Sequence, residues 1–102
     1  MFEINGKTYV LKYNLKRVEM IENATGVPMM SDLYSHRSMM SLTALKTYFA
    51  YGLKEEGADA FVAPKKGMEM AEAMIESEGY LAVNGAVLEA LERDCPFFFQ
   101  GA

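Results

Sequence analysis

The apolar positions of this chain form one short β-prone stretch followed by a series of helical stripes. Phe2, Ile4 and the run Thr8-Tyr9-Val10-Leu11-Lys12-Tyr13 favour strands, and Asn5-Gly6 between them is the preferred dipeptide of a two-residue type I′ turn. A hairpin over about residues 2–13 is expected. Asn14 then caps a helix whose apolar positions Leu15, Val18 and Ile21 share a face, with Gly26 and Pro28 as its stop. From Met29 to Met40 the period breaks down, which predicts a short helix or a loop. Ser41 caps the next stripe, Leu42, Leu45, Phe49 and Leu53, widened by Tyr48 and Tyr51 and predicted to stop at Gly57. Ala58 to Pro64 reads as a connector. Met68, Ala71, Met74 and Ile75 make a third stripe ending near Gly79, with Pro64 suited to its first turn. Tyr80, Val83, Val87, Leu88 and Leu91 make a fourth, and Gly85 inside it either weakens the helix or admits a close neighbour. Cys95-Pro96 ends that helix, because proline disfavours helical geometry at the residue before it. The expected fold is mainly α with a short N-terminal β-hairpin and about four helices over about residues 14–96. Residues 1–102 then form one compact domain closed by a short aromatic tail, 97–102.

That tail is the first departure from simple amphipathicity. Phe97, Phe98 and Phe99 stand in a row, and no single strand or helix face can bury all three rings. Either two of them fold back over the helices, or the run docks on a neighbouring subunit or partner. Methionine is the second departure. Nine are present, and Met29-Met30 and Met39-Met40 bracket the irregular segment. Adjacent residues do not easily face one core, and flexible thioethers suit a surface that repacks around a partner. Met29, Met30, Met39, Met40, Phe97, Phe98 and Phe99 are therefore the candidate protein-interaction residues, against the plainer reading of core filling.

Composition narrows the chemistry. Half the chain is apolar and 24% charged, as in a globular protein, and the formal charge is −4 with a pI near 4.9. Phosphate contacts dominate nucleic-acid affinity, so an acidic chain with no basic cluster beyond Lys65-Lys66 argues against DNA or RNA as partner. No basic segment leads into an apolar stretch at the N-terminus and no run of apolar residues reaches membrane-spanning length, so neither a signal segment nor a membrane partner is expected. A single cysteine forms no internal disulfide and fits a reducing cytoplasm.

The one histidine, His36, and the one cysteine, Cys95, have no spacing that pairs them as nucleophile and base, and two residues do not make a zinc site. Glu55, Glu56, Glu69, Glu72 and Glu76 read as a solvated face. No glycine pattern matches a phosphate-binding loop. The expectation is a protein without catalytic residues, metal or cofactor.

Four stretches taken together, MFEINGKTYVLKYNLKRVEMIENATG, LTALKTYFAYGLKEEGAD, GYLAVNGAVLEAL and ERDCPFFFQ, resemble the tail assembly chaperones of long-tailed bacteriophages and prophages of Gram-positive bacteria. The likeness is one of overall pattern over nearly the whole chain. It implies a small, mostly helical, non-enzymatic protein encoded between the major tail protein and the tape measure protein, acting in the bacterial host cytoplasm and absent from the finished virion. It implies binding to the tape measure protein, recruitment of tail-tube subunits, self-association, and in many cases a longer frameshifted product sharing the same N-terminal domain. On that reading Phe97 to Phe99 lie near the junction where a longer form diverges. The competing class is a small regulatory or adaptor module, antitoxin-like or anti-repressor, binding a partner by a helix in a groove.

Overall fold

The computed structural model describes residues 2–35 and 37–99, with Ser35 described in its backbone only. His36 and the last three residues of the aromatic tail lie outside the described residues. Strands β1 (Phe2–Ile4) and β2 (Lys7–Leu11) pair antiparallel with Ile4 opposite Lys7, so the turn is the two residues Asn5-Gly6. Both take positive φ, 52° and 79°, as a type I′ turn demands.

Helix α1 (Leu15–Thr25) starts at Asn14, whose side-chain oxygen accepts from the Arg17 N–H at 2.8 Å, and ends at Gly26 in the left-handed region. The irregular segment contains a seven-residue helix, α2 (Met29–Ser35). The Glu22 carboxylate reaches forward to accept from the Met29 N–H at 2.7 Å, serving a donor the helix itself leaves unpaired. Helix α3 (Leu42–Gly52) is capped by Ser41 and is the most deeply buried element, with Leu45, Phe49 and Ala50 fully enclosed. Helices α4 (Pro64–Glu78) and α5 (Tyr80–Asp94) follow, joined through Gly79, and a 3-10 turn over Pro96–Phe98 comes after α5. The fold is mostly helical with an N-terminal antiparallel hairpin, as the stripes predict.

Three details differ from the sequence reading. First, α3 stops at Gly52, not Gly57, and gives way to a third strand, β3 (Leu53–Glu55), in the order β1-β2-β3. Leu53 falls on the helical stripe, but β2 would otherwise present an unpaired edge. Leu53 pairs with Leu11, and the Lys12 N–H donates to the Gly52 carbonyl at 2.8 Å. Gly57 instead turns the chain after the strand, at φ 84°. Second, Leu15 and Leu42 are exposed although both lie in register with their stripes. Each is the first residue of its helix, and a helical side chain covers the turn N-terminal to itself, where here there is no helix. Third, α4 buries Gly67, Met70 and Ala71, with Met74 packed beside them, so Met70 and not Met68 anchors that helix.

Two tight approaches set the spacing of the core. A Cβ on Gly67 would lie 2.8 Å from the Ala50 carbonyl oxygen and 2.9 Å from the Ala50 Cα, so α4 crosses α3 backbone to backbone. A Cβ on Gly52 would strike the Tyr13 ring, whose hydroxyl donates to the Tyr48 carbonyl at 2.6 Å. At the C-terminal end of α5, Arg93 and Asp94 form a paired clamp. Arg93 donates to both Asp94 carboxylate oxygens at 2.8 Å and to the Leu11 carbonyl, while Asp94 accepts from the Tyr13 N–H at 2.9 Å. Arg17 performs a similar task for α3, donating twice to the Tyr51 carbonyl with its guanidinium 3.9 Å from the Phe61 ring centre.

Candidate protein-interaction surface

The two methionine pairs split. Met29 at 1% and Met40 at 3% exposure are core residues, which corrects their assignment to an interaction surface. The cause is local. Met29 opens α2 and is held inward by the Glu22 cap, and Met40 is the last residue before the Ser41 cap of α3. Their neighbours point outward, Met39 being 43% exposed and Met30 half-buried against the core edge.

The phenylalanine run divides in the same manner. Pro96 turns the chain into the 3-10 turn, so Phe98 packs against the core while Phe97 at 49% and Phe99 at 37% stay exposed. The Phe97 and Phe98 rings lie 4.8 Å apart in a tilted pair. One ring folds back and two remain available, so neither sequence alternative describes the whole run.

Met30 and Phe99, 69 positions apart in the chain, meet at one small apolar pocket of about 70 Å³, which Leu33, Tyr34 and Ser38 complete. Tyr34 stands at its rim with 75% of its surface exposed, and Met39 follows Ser38 directly. Of the candidate set, Met30 and Phe99 thus share one region built from α2, the segment after it and the C-terminal turn, with exposed Met39 next to it in the chain. Contiguous apolar surface of this kind marks binding sites more often than scattered exposed residues do.

Sequence reasoning missed Tyr34, Leu81 and Asn84. Leu81 is an exposed leucine that sits off the α5 stripe, a signal visible in the sequence. Asn84 carries no local signal: it interrupts no cap or turn, yet it is buried. Its Oδ1 accepts from the Met40 N–H at 3.2 Å and its Nδ2 donates to the Ser38 carbonyl at 3.0 Å. The Tyr80 hydroxyl donates to the Met40 carbonyl, and burial first, then the charge of Asp32, pushes its pKa up.

The acidic residues lie elsewhere. Glu69, Glu72 and Glu76 are exposed on the outer side of α4, where Glu72 meets Lys46 at 3.2 Å, and Glu55 faces Lys7 at 4.0 Å. Cys95 is fully buried, and burial followed by the Asp94 charge raises its thiol pKa, so it is held as a packed, protonated side chain. Among the described residues no three His, Cys, Asp or Glu side chains are grouped to hold a metal ion, and no helix is long and apolar enough to cross a membrane. No known protein family, curated protein or solved structure matches the chain.

Proposed function

We propose that this chain is a non-enzymatic tail assembly chaperone of a long-tailed phage or prophage, acting in the host cytoplasm. It binds the tape measure protein and helps bring major tail protein subunits to it. The observation that carries the reading is the apolar pocket of Met30, Leu33, Tyr34 and Phe99, with exposed Met39 next to pocket-lining Ser38 in the chain, which joins pliable thioethers to aromatic rings on a mainly helical fold of the kind the family likeness implies. A tape measure is long, helical and apolar, and needs cover before the tube polymerises around it. Adaptable apolar contacts supply that cover, and the acidic faces on α4 and β3 keep the complex in solution.

Co-expression with tape measure fragments tests this. Wild-type protein should raise fragment solubility, and Met39→Lys with Phe99→Asp should abolish the effect while leaving the thermal midpoint close to wild type. Fragments that remain insoluble with the wild-type protein refute the assignment.

A further inference from the structure

Asn84 turns both its amide oxygen and its amide nitrogen to the backbone of one short segment, and Tyr80, one turn earlier on α5, adds a third hydrogen bond to the same segment. An apolar residue at 84 would take away the partner of the buried Met40 N–H and that of the part-buried Ser38 carbonyl, so the amide is matched to that segment and not to the helix that carries it. The segment also needs restraint. Arg37 and Ser38 are consecutive non-glycine residues in the left-handed region, at φ 53° and 66°, a conformation L-residues leave readily unless held. One hold is local, the Ser38 N–H donating to the Leu33 carbonyl at 2.7 Å, and the others come from α5. Ser38 lines the apolar pocket together with Phe99, and exposed Met39 lies between the two backbone groups that Asn84 grips.

We infer that Asn84 and Tyr80 are positioning residues for the docking surface: they fix the Ser38–Met40 backbone and thereby set where Met39 and one wall of the pocket stand. This rests on the proposed function in treating that surface as the docking site. Neither residue needs to touch the partner. Their contribution is to present the surface already shaped, so that binding does not have to order it.

The test combines methionine-methyl NMR and amide exchange on the free protein with binding to soluble tape measure fragments, for Asn84→Ala and for Tyr80→Phe, which loses only a hydroxyl and serves if the first variant folds poorly. The Met40 amide should exchange about tenfold faster and the Met39 methyl signal should move, while the Met70 and Met74 methyls stay in place. Fragment affinity, measured well below the thermal midpoint, should fall about tenfold. Unchanged Met39 and Met40 signals in both variants overturn the inference, and so does wild-type affinity in a variant whose segment has moved. A wild-type protein that binds no fragment refutes the proposed function instead, and the NMR signals then decide the positioning role on their own.

Discussion

Replacing Gly67 by Ala and Gly85 by Ala should move stability in opposite directions, although both glycines sit inside long helices of the same chain. At Gly67 the added methyl carbon would stand 2.8, 2.9 and 3.0 Å from the Ala50 carbonyl oxygen, Cα and Cβ. Carbon contacts normally settle at about 3.5–4.0 Å, so α3 and α4 must part by about 0.5–1 Å or tilt. No rotamer change relieves this, because two of the three atoms are backbone. Overpacking of this kind costs about 1–3 kcal/mol, and the better helix propensity of alanine returns up to about 1 kcal/mol, leaving a net loss of about 1–2 kcal/mol. For a domain of this size that lowers the thermal midpoint by roughly 5–15 °C. At Gly85 nothing lies within 4 Å of the added Cβ, so only the propensity term remains, a gain of about 0.5–1 kcal/mol and a rise of a few degrees. Thermal and urea unfolding followed by circular dichroism at 222 nm read both. A Gly67→Ala protein that melts at or above the wild type would show that the helix crossing does not depend on the missing side chain.

Three further outcomes are expected. Phe98→Ala should lower stability by about 1–2 kcal/mol, less than a fully buried Phe, whereas Phe97→Ala should stay within about 0.5 kcal/mol; equal effects in urea unfolding would contradict the division of the run. Burial raises the Tyr13 and Tyr48 pKa values, for Tyr13 with Tyr48 and Asp94 nearby and for Tyr48 with Glu22 and Asp32. The folded state therefore keeps protons that the unfolded chain releases near pH 10, and stability is full below that value and falls above it. Absorbance at 295 nm should show these two tyrosines ionising only together with unfolding, and six independent titrations near pH 10 would rule this out. For Asp94, burial pushes the pKa up, but the Arg93 hydrogen bonds and the Tyr13 N–H outweigh it and hold it low. Its stabilisation is then present above about pH 4 and lost as pH falls through the lowered value, so the gap in thermal midpoint between wild type and Asp94→Asn should close in acid. A gap that is constant from pH 7 to pH 2 would argue against the clamp.

What the sequence made legible was local. Asn5-Gly6, Asn14, Gly26, Ser41 and Pro64 each act through their immediate neighbours, and the hairpin, the caps and the helix starts follow from them. The third strand was not legible, because Leu53 to Glu55 form it to satisfy the edge of a strand whose paired residues lie 42 to 46 positions earlier. Gly67 and Asn84 were hidden for the same reason, their roles being defined against Ala50 and against Ser38 and Met40. The candidate surface was half legible. That adjacent methionines must divide between core and exterior follows from geometry, but which member faces inward depends on the Glu22 cap and the start of α3.

The clamp of Arg93 and Asp94 onto Leu11 and Tyr13 also has a meaning in time. A ribosome delivers the hairpin first, yet the groups that secure its outgoing strand arrive 82 and 81 residues later. The hairpin therefore emerges with its inner face uncovered; β3 and the end of α3 later pair its outgoing strand, but the bonds to the Leu11 carbonyl and the Tyr13 N–H wait for α5. A nascent chain halted before α5 leaves the exit tunnel should remain open to proteases throughout. Release of α5 then closes the 82-residue loop from Leu11 to Arg93 and the fold locks in one late step.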